Sequence, residues 1–331
     1  MSDRAKRTVT GEGWRVTDRV YRIGTRGSPL ALAQARETAA RLAEAHGLAP
    51  DEADRRFVIE VIETRGDQVL DRALSALGGK GLFTKEIDEA QLSGRVDLAV
   101  HSMKDVPTVL PEGLSIAAIL PREDVRDAFL SPSAATIDAL PEGARVGTAS
   151  LRRQAQLLWR RPDLAVSIFR GNVQTRLRKL EEGQADATFL ALAGLNRLGM
   201  ADHARSVIAT DEMLPAVAQG AVGVSVRDDD EEAQALLAPL ECAETAIRVA
   251  AERAYLKRLD GSCRTPLAGL AERDEEGALR FRGEILKPDG SQRFAAERVA
   301  AASDAAAAAA IGDGVAKALL EEAGPDFLAE L

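Results

Sequence analysis

The sequence predicts an α/β protein with two similar lobes facing each other across a cleft, followed by a smaller α+β unit. Three observations carry this. Short apolar strands alternate with helix-period segments as far as about residue 200, the pattern of βαβ units around a sheet. Two stretches of the first half are echoed in order in the second: RIGTRGSPL at 22–30 by RVGTASL at 145–151, and GRVDLAV at 94–100 by GQADATF at 183–189. Beyond about residue 240 the order changes to helix, strands, helix. A chain of 331 residues is long enough for two or three such units.

The elements follow in order. Residues 1–19 are polar and read as a disordered extension. Residues 20–26 form a strand and 29–46 a helix, with Ser28 as N-cap and Pro29 in the first turn. Residues 57–64 alternate as a strand. The stretch 65–81 holds three glycines near its end and has no clean period, which suggests a mobile loop over the cleft. Residues 83–92 are helical, and 96–101 and 114–120 are strands. In the second half, 165–170 is a strand that Arg170 ends. The acidic run Asp228–Glu232 reads as a surface turn or linker. Residues 243–259 are helical, 267–299 form a hairpin or small sheet, and 304–322 close the chain as an Ala-rich helix stopped by Gly324-Pro325. The expected units are lobe 1 at 20–120 with about 217–238 returning to it, lobe 2 at 121–216, and an α+β unit at 240–331.

Composition narrows the function. Apolar residues make up 46% and aromatics only 4%, so the core is mainly aliphatic. No apolar run approaches the roughly 20 residues of a bilayer span. The N-terminus lacks the apolar core of a secretory signal, so the cytoplasm is the expected location. Two cysteines, Cys242 and Cys263, match no zinc spacing, and the three histidines are dispersed, so no metal is expected. His101 reads as structural. The net charge of −9 disfavours nucleic acid as a partner. Residues 145–179 nevertheless carry nine Arg/Lys and the single acid Asp163, which leaves −17 for the rest of the chain. This is either a solvated basic helix face or the site of an anionic ligand.

Five segments can carry chemistry. Each Gly-Thr turn leaves a strand and enters a helix, where free N–H groups and the helix dipole favour an anion. Arg26, Ser28, Thr148 and Ser150 lie in these turns. Arg152 and Arg153 occupy a helix's first turn, against the dipole, at roughly 0.3–1 kcal/mol each, which implies a nearby anion. Arg170 and Arg176 in RGNVQTR repeat the device, and four guanidinium forks within 25 residues suit a ligand with several carboxylates. Ser102, Lys104 and Asp105 in HSMKDVP lie at a strand's C-terminal edge, where open α/β sheets place ligands. Asp105 is the one acid among these segments; Lys104–Asp105 reads equally as a surface turn pair. Cys263 sits in a turn beside Arg264, which favours a reactive thiolate, although lone cysteines are often buried and inert.

HSMKDVP at 101–107, GTASLRRQ at 147–154, RGNVQTR at 170–176 and GSCRTPLAG at 261–269 occur in the order of the porphobilinogen deaminase (hydroxymethylbilane synthase) family, which the chain resembles over roughly residues 20–325. The resemblance implies two periplasmic-binding-protein-like lobes and a third domain carrying a cysteine. It implies a monomeric transferase that condenses four porphobilinogen molecules head to tail into hydroxymethylbilane and releases ammonia. The primer would be a dipyrromethane cofactor held by a thioether to Cys263. Asp105 would be catalytic, and Arg26, Ser28, Ser102, Lys104, Thr148, Ser150, Arg152, Arg153, Arg170 and Arg176 would bind cofactor and substrate. Ser262 departs from the glycine usual before the cysteine. Two other classes fit parts of the sequence. A two-lobed anion-binding protein without catalysis explains the cleft but not Cys263, and a covalent pyrrole adduct would separate the readings. A nucleic-acid binder would show salt-dependent binding through 145–179.

Overall fold

The computed structural model describes residues 19–68, 81–259, 265–324 and 327. In chain order the first lobe begins with β1 (Tyr21–Thr25), α1 (Pro29–Ala45), α2 (Pro50–Arg56), β2 (Phe57–Val61), α3 (Arg65–Gln68), α4 (Lys85–Leu92), β3 (Leu98–Ser102) and β4 (Leu114–Ile119). The chain then crosses to a second lobe. This comprises β5 (Asp127–Leu130), β6 (Arg145–Gly147), α5 (Leu151–Arg160), β7 (Ala165–Ser167), α6 (Val173–Glu181), β8 (Ala187–Ala191), α7 (Leu192–Arg197) and β9 (Ser206–Val207). It returns to the first lobe as β10 (Val222–Arg227) and α8 (Glu231–Leu237).

The two sheets have the same build. Their strand orders are β2-β1-β3-β10-β4 and β7-β6-β8-β5-β9. In each, a central strand has two parallel neighbours, and the next strand runs antiparallel. That antiparallel strand is the one that has just crossed between lobes. The echoed motifs supply equivalent bonds. Arg22 donates from its backbone N to Asp97 at 2.9 Å and from its guanidinium to the Gly94 carbonyl at 2.9 Å. Arg145 does the same to Asp186 at 2.7 Å and to Gly183 at 3.0 Å.

The third unit packs α9 (Ala243–Arg258) and α10 (Ala305–Ala323) against an antiparallel sheet of β11 (Leu267–Arg273), β12 (Leu279–Leu286) and β13 (Arg293–Ala300). Tyr255, Phe281 and Leu319 are buried at its centre. Among the described residues, no helix is long and apolar enough to cross a membrane.

Several boundaries differ from expectation. The second strand stops at Val61 and the 165–170 strand at Ser167, three residues before Arg170. Asp228 and Asp229 form the expected surface turn, but the run is no linker: Asp230 accepts from Ala233 N at 3.1 Å and caps α8, whose first turn holds Glu231 and Glu232, where acids complement the dipole. Several elements were not expected, among them α2, the short α3 at the start of the expected 65–81 loop, the fully buried β5, α7 and β9. Residues 1–18 of the expected extension and 69–80 of the expected glycine-rich loop lie outside the described residues. Arg19 is placed, and bridges Asp97 at 2.8 Å and Asp230 at 2.7 Å.

Candidate active site

The first-lobe half of the site is built by α1 and β3. Strand β3 is buried until Ser102, and the chain then makes a single 3-10 turn over Met103–Asp105. Met103 and Val106 are buried on either side, which leaves Lys104 exposed and Asp105 half-buried between them. Arg26 reaches Asp105 at 3.8 Å while its guanidinium lies 4.1 Å over the Phe83 ring. Ser28 caps α1 by accepting from Ala31 N at 3.2 Å. Ser102 Oγ pairs with the Gln34 side-chain amide at 2.9 Å. Arg26, Ser28, Gln34, Phe83, Lys104 and Asp105 line one cavity.

The second-lobe half is built by the turn into α5. Thr148 Oγ1 accepts from Ser150 N at 3.1 Å, and Ser150 Oγ caps Arg153 N at 3.4 Å. Arg152 and Arg153 are both buried. The anion that offsets them against the helix dipole is Asp127, the first residue of β5. It accepts from Arg152 Nη2 and Arg153 Nη2 at 2.7 Å each and from the Gln219 side chain at 2.9 Å. Burial alone would push the Asp127 carboxyl up; Arg152 and Arg153 overcome this and hold it below the ordinary range. Each arginine also donates to a carbonyl, Arg152 to Leu214 and Arg153 to Phe189. Among the described residues, both Nε atoms are buried without a partner. Asp105 remains the one acid of the segments singled out in the sequence, and Asp127 adds a second from outside them, behind the arginines. A lone acid opening the apolar run DAFL is the signal that could have found it.

Arg170 is buried, and Arg176 donates from Nε to the Gly171 carbonyl at 2.9 Å. Desolvation, then the charges of Arg153 and Arg170, push the Arg176 guanidinium down to about 10. Lys104 is open to solvent in the cleft but crowded by protein around it, and this crowding lowers its ammonium; Asp105 opposes the shift, and Arg153 adds to it. The two halves therefore share one field. Lys104 and Asp105 come from one lobe, and Arg153, Arg170 and Arg176 from the other.

Cys263 lies outside the described residues, as do Ser262 and Arg264. The chain leaves the description after Leu259, just past α9, and resumes at Thr265 before β11. Cys242 stands at the start of α9, its Sγ accepting from Thr245 Oγ1 at 3.2 Å. Gln34 and Phe83 were not anticipated, and residue type alone does not mark them. Among the described residues, no cluster of His, Cys, Asp and Glu could hold a metal ion.

The family model described as porphobilinogen deaminase, dipyromethane cofactor binding domain, matches residues 21–235, and the C-terminal domain of the same family matches 246–321. The chain belongs to the porphobilinogen deaminase family. The first match spans both lobes and every candidate residue except Cys263, which falls in the second. The porphobilinogen deaminase of Paracoccus denitrificans is 60% identical over 92% of this chain and 95% of its own. That of Nitrobacter hamburgensis is 55% identical over 94% and 96%, and the chloroplastic protein of Oryza sativa 56% over 84% and 77%. Among solved structures, a periplasmic substrate-binding protein of an ABC transporter from Coxiella burnetii covers 71% of this chain and 97% of its own, at 15% identity and a TM-score of 0.42.

Proposed function

We propose that this chain condenses four porphobilinogen molecules head to tail into hydroxymethylbilane and releases ammonia, with Asp105 as the catalytic carboxylate and Cys263 as the thioether attachment point of its dipyrromethane cofactor. The observation that carries the residue-level reading is a half-buried carboxylate and a lysine on the wall of the first lobe's cavity, with Arg153 of the second lobe near enough to act on that lysine.

The residues fit the cofactor. Each pyrrole ring bears an acetate and a propionate, so two rings bring four carboxylates and two N–H donors. Arg26, Lys104, Arg170 and Arg176 supply cations, and the unpartnered Nε atoms of Arg152 and Arg153 are donors that a carboxylate would satisfy. Asp105 is the acceptor for ring N–H groups. When bound, the cofactor supplies the nucleophilic pyrrole carbon to which the first substrate is joined.

The chain's own groups then have separate tasks. The arginines and Ser28, Ser102, Thr148 and Ser150 hold acetate and propionate side chains and so fix ring orientation. Asp105 stabilises the positive charge that develops on the substrate pyrrole as ammonia leaves. It also accepts and passes on the proton lost from the attacking ring carbon. Arg26, stacked on Phe83, keeps a positive charge beside that carboxylate. The protein acts as a cytoplasmic monomer on a small-molecule substrate, with no nucleic-acid or membrane partner.

Intact mass tests the attachment. The purified chain should carry the mass of a dipyrromethane, and Cys263→Ala should fold yet lack it. An adduct that persists in Cys263→Ala, or that maps to Cys242, would show the assignment to be wrong.

A further inference from the structure

The turn that carries Asp105 is held by the C-terminal unit as well as by its own lobe, where Met103 N donates to the Ala221 carbonyl at 3.0 Å. Met103 and Val106 flank Lys104–Asp105, and both side chains belong to the core formed with Val249, Tyr255, Phe281 and Leu319. Strand β10 makes room for this: a Cβ on Gly223 would collide with Met103 Sδ. The carbonyls of Val106 and Pro107, which belong to no helix or strand, both accept from Arg253 of α9, at 3.1 and 2.6 Å. Among the described residues, Arg253 has no carboxylate partner, so its half-buried guanidinium is given over to these two carbonyls. Burial pushes its pKa down, the cost of keeping an unpaired cation there.

We infer that Arg253 is a positioning residue that sets the placement of Asp105 from the C-terminal unit; this rests on the reading of Asp105 as the catalytic carboxylate. Catalytic groups tolerate displacements well below an ångström, and a shift of about 1 Å can lower the rate on the order of a hundredfold.

The test compares holoenzyme variants Arg253→Gln, Arg253→Lys and Asp105→Asn, with kcat expressed per cofactor-loaded molecule. Hydrogen exchange of the 98–110 peptide is read in parallel, whatever the loading. Arg253→Gln should lose at least tenfold in kcat with KM within about threefold, and exchange in 98–110 should quicken while that of the second lobe does not. Lysine offers a single point donor in place of the fork, so Arg253→Lys should recover part of the rate. If Arg253→Gln matches wild type in kcat and exchange while Asp105→Asn is inactive, the positioning role is refuted and the Asp105 reading survives. If Asp105→Asn itself turns over normally, both ideas fall. A loss of kcat that tracks only the unfolded fraction in a thermal melt would make Arg253 structural and also overturn the inference.

Discussion

Asp105 and His101 stand four residues apart on one segment, yet their surroundings give them opposite characters. Asp105 is half-buried on the cavity wall, within 3.8 Å of Arg26. Replacing it by Asn keeps size and shape but removes the charge that would stabilise a developing cation. Asp105→Asn with cofactor attached should bind substrate and lose nearly all turnover, while Asp105→Glu keeps a small residual rate; single-turnover rates near wild type for Asn would defeat the proposal. His101 is buried, with its Nε2 3.0 Å from Ser225 Oγ, and burial lowers its pKa from 6.5 to about 4. Its folded value lies below its unfolded one. As pH falls from 6.5 toward 4, the unfolded chain takes up a proton that the folded chain refuses, and stability drops by up to about 3 kcal/mol over that window. His101→Gln lacks this proton uptake. Its unfolding free energy, followed by denaturant titration between pH 7 and 4.5, should decline less steeply than that of wild type. Parallel curves would mean that His101 titrates normally.

At the scale of elements, the first turn of α5 shows how a helix start can hold cations. Two buried arginines at a positive dipole end are tenable because β5 delivers a carboxylate to them. Asp127→Asn keeps the shape and strands two charges, so a loss on the order of 3–5 kcal/mol is expected from denaturant midpoints. The depressed Asp127 pKa places its own contribution above the ordinary carboxylate range, to be lost only as pH falls through the lower folded value. Arg153→Leu also breaks a buried pair and should lower stability, with Arg152 left to hold Asp127; a cofactor role would show as a loss of cofactor content, read by intact mass on the folded fraction, and normal content with normal activity would count against it. The start of α5 was legible because Ser150 follows a strand and precedes an amphipathic run, as Ser28 does before α1. The paired bonds of Arg22 and Arg145 were foreshadowed by the echoed motifs. Strand β5 was not legible: four residues carry no measurable alternation, and the partners of Asp127 lie 25 and 26 residues further on. The charge pattern pointed correctly to an anion beside Arg152 and Arg153, but it could not separate a carboxylate of the chain from one on a ligand.

At the scale of the whole molecule, the two crossings between lobes, near residues 120–127 and 208–222, are pinned to the C-terminal unit by one ion pair. Glu252 of α9 is fully buried, and it accepts from both terminal nitrogens of Arg122, at 2.7 and 2.9 Å. It also accepts from Ala218 N at 2.5 Å and Ala271 N at 2.9 Å, while Arg122 Nε donates to the Gln219 carbonyl at 2.9 Å. Gly220 beside it has a φ of +86°, and a Cβ there would strike the Glu123 carbonyl, so the crossing strands lie in contact at this point. None of this was readable in the sequence, because the partners are 130 residues apart and each looks like an ordinary surface charge on its own. A second link, Arg197 to Glu37 at 3.0 Å, joins α7 to α1 across the lobes. A buried pair satisfied by backbone donors is expensive to break on one side only. Glu252→Gln should therefore lower stability by roughly 3–5 kcal/mol, through an Arg122 charge left without its counter-ion. The double variant Arg122→Met, Glu252→Leu removes both charges and should regain part of that loss, whereas the exposed pair Arg258–Asp313 should be replaceable with little effect on the melting temperature. Denaturant unfolding of wild type, Glu252→Gln, the double variant and an Arg258–Asp313 replacement decides it: a Glu252→Gln midpoint equal to wild type, or a double variant less stable than Glu252→Gln, would mean that the ion pair does not hold the crossings to the C-terminal unit.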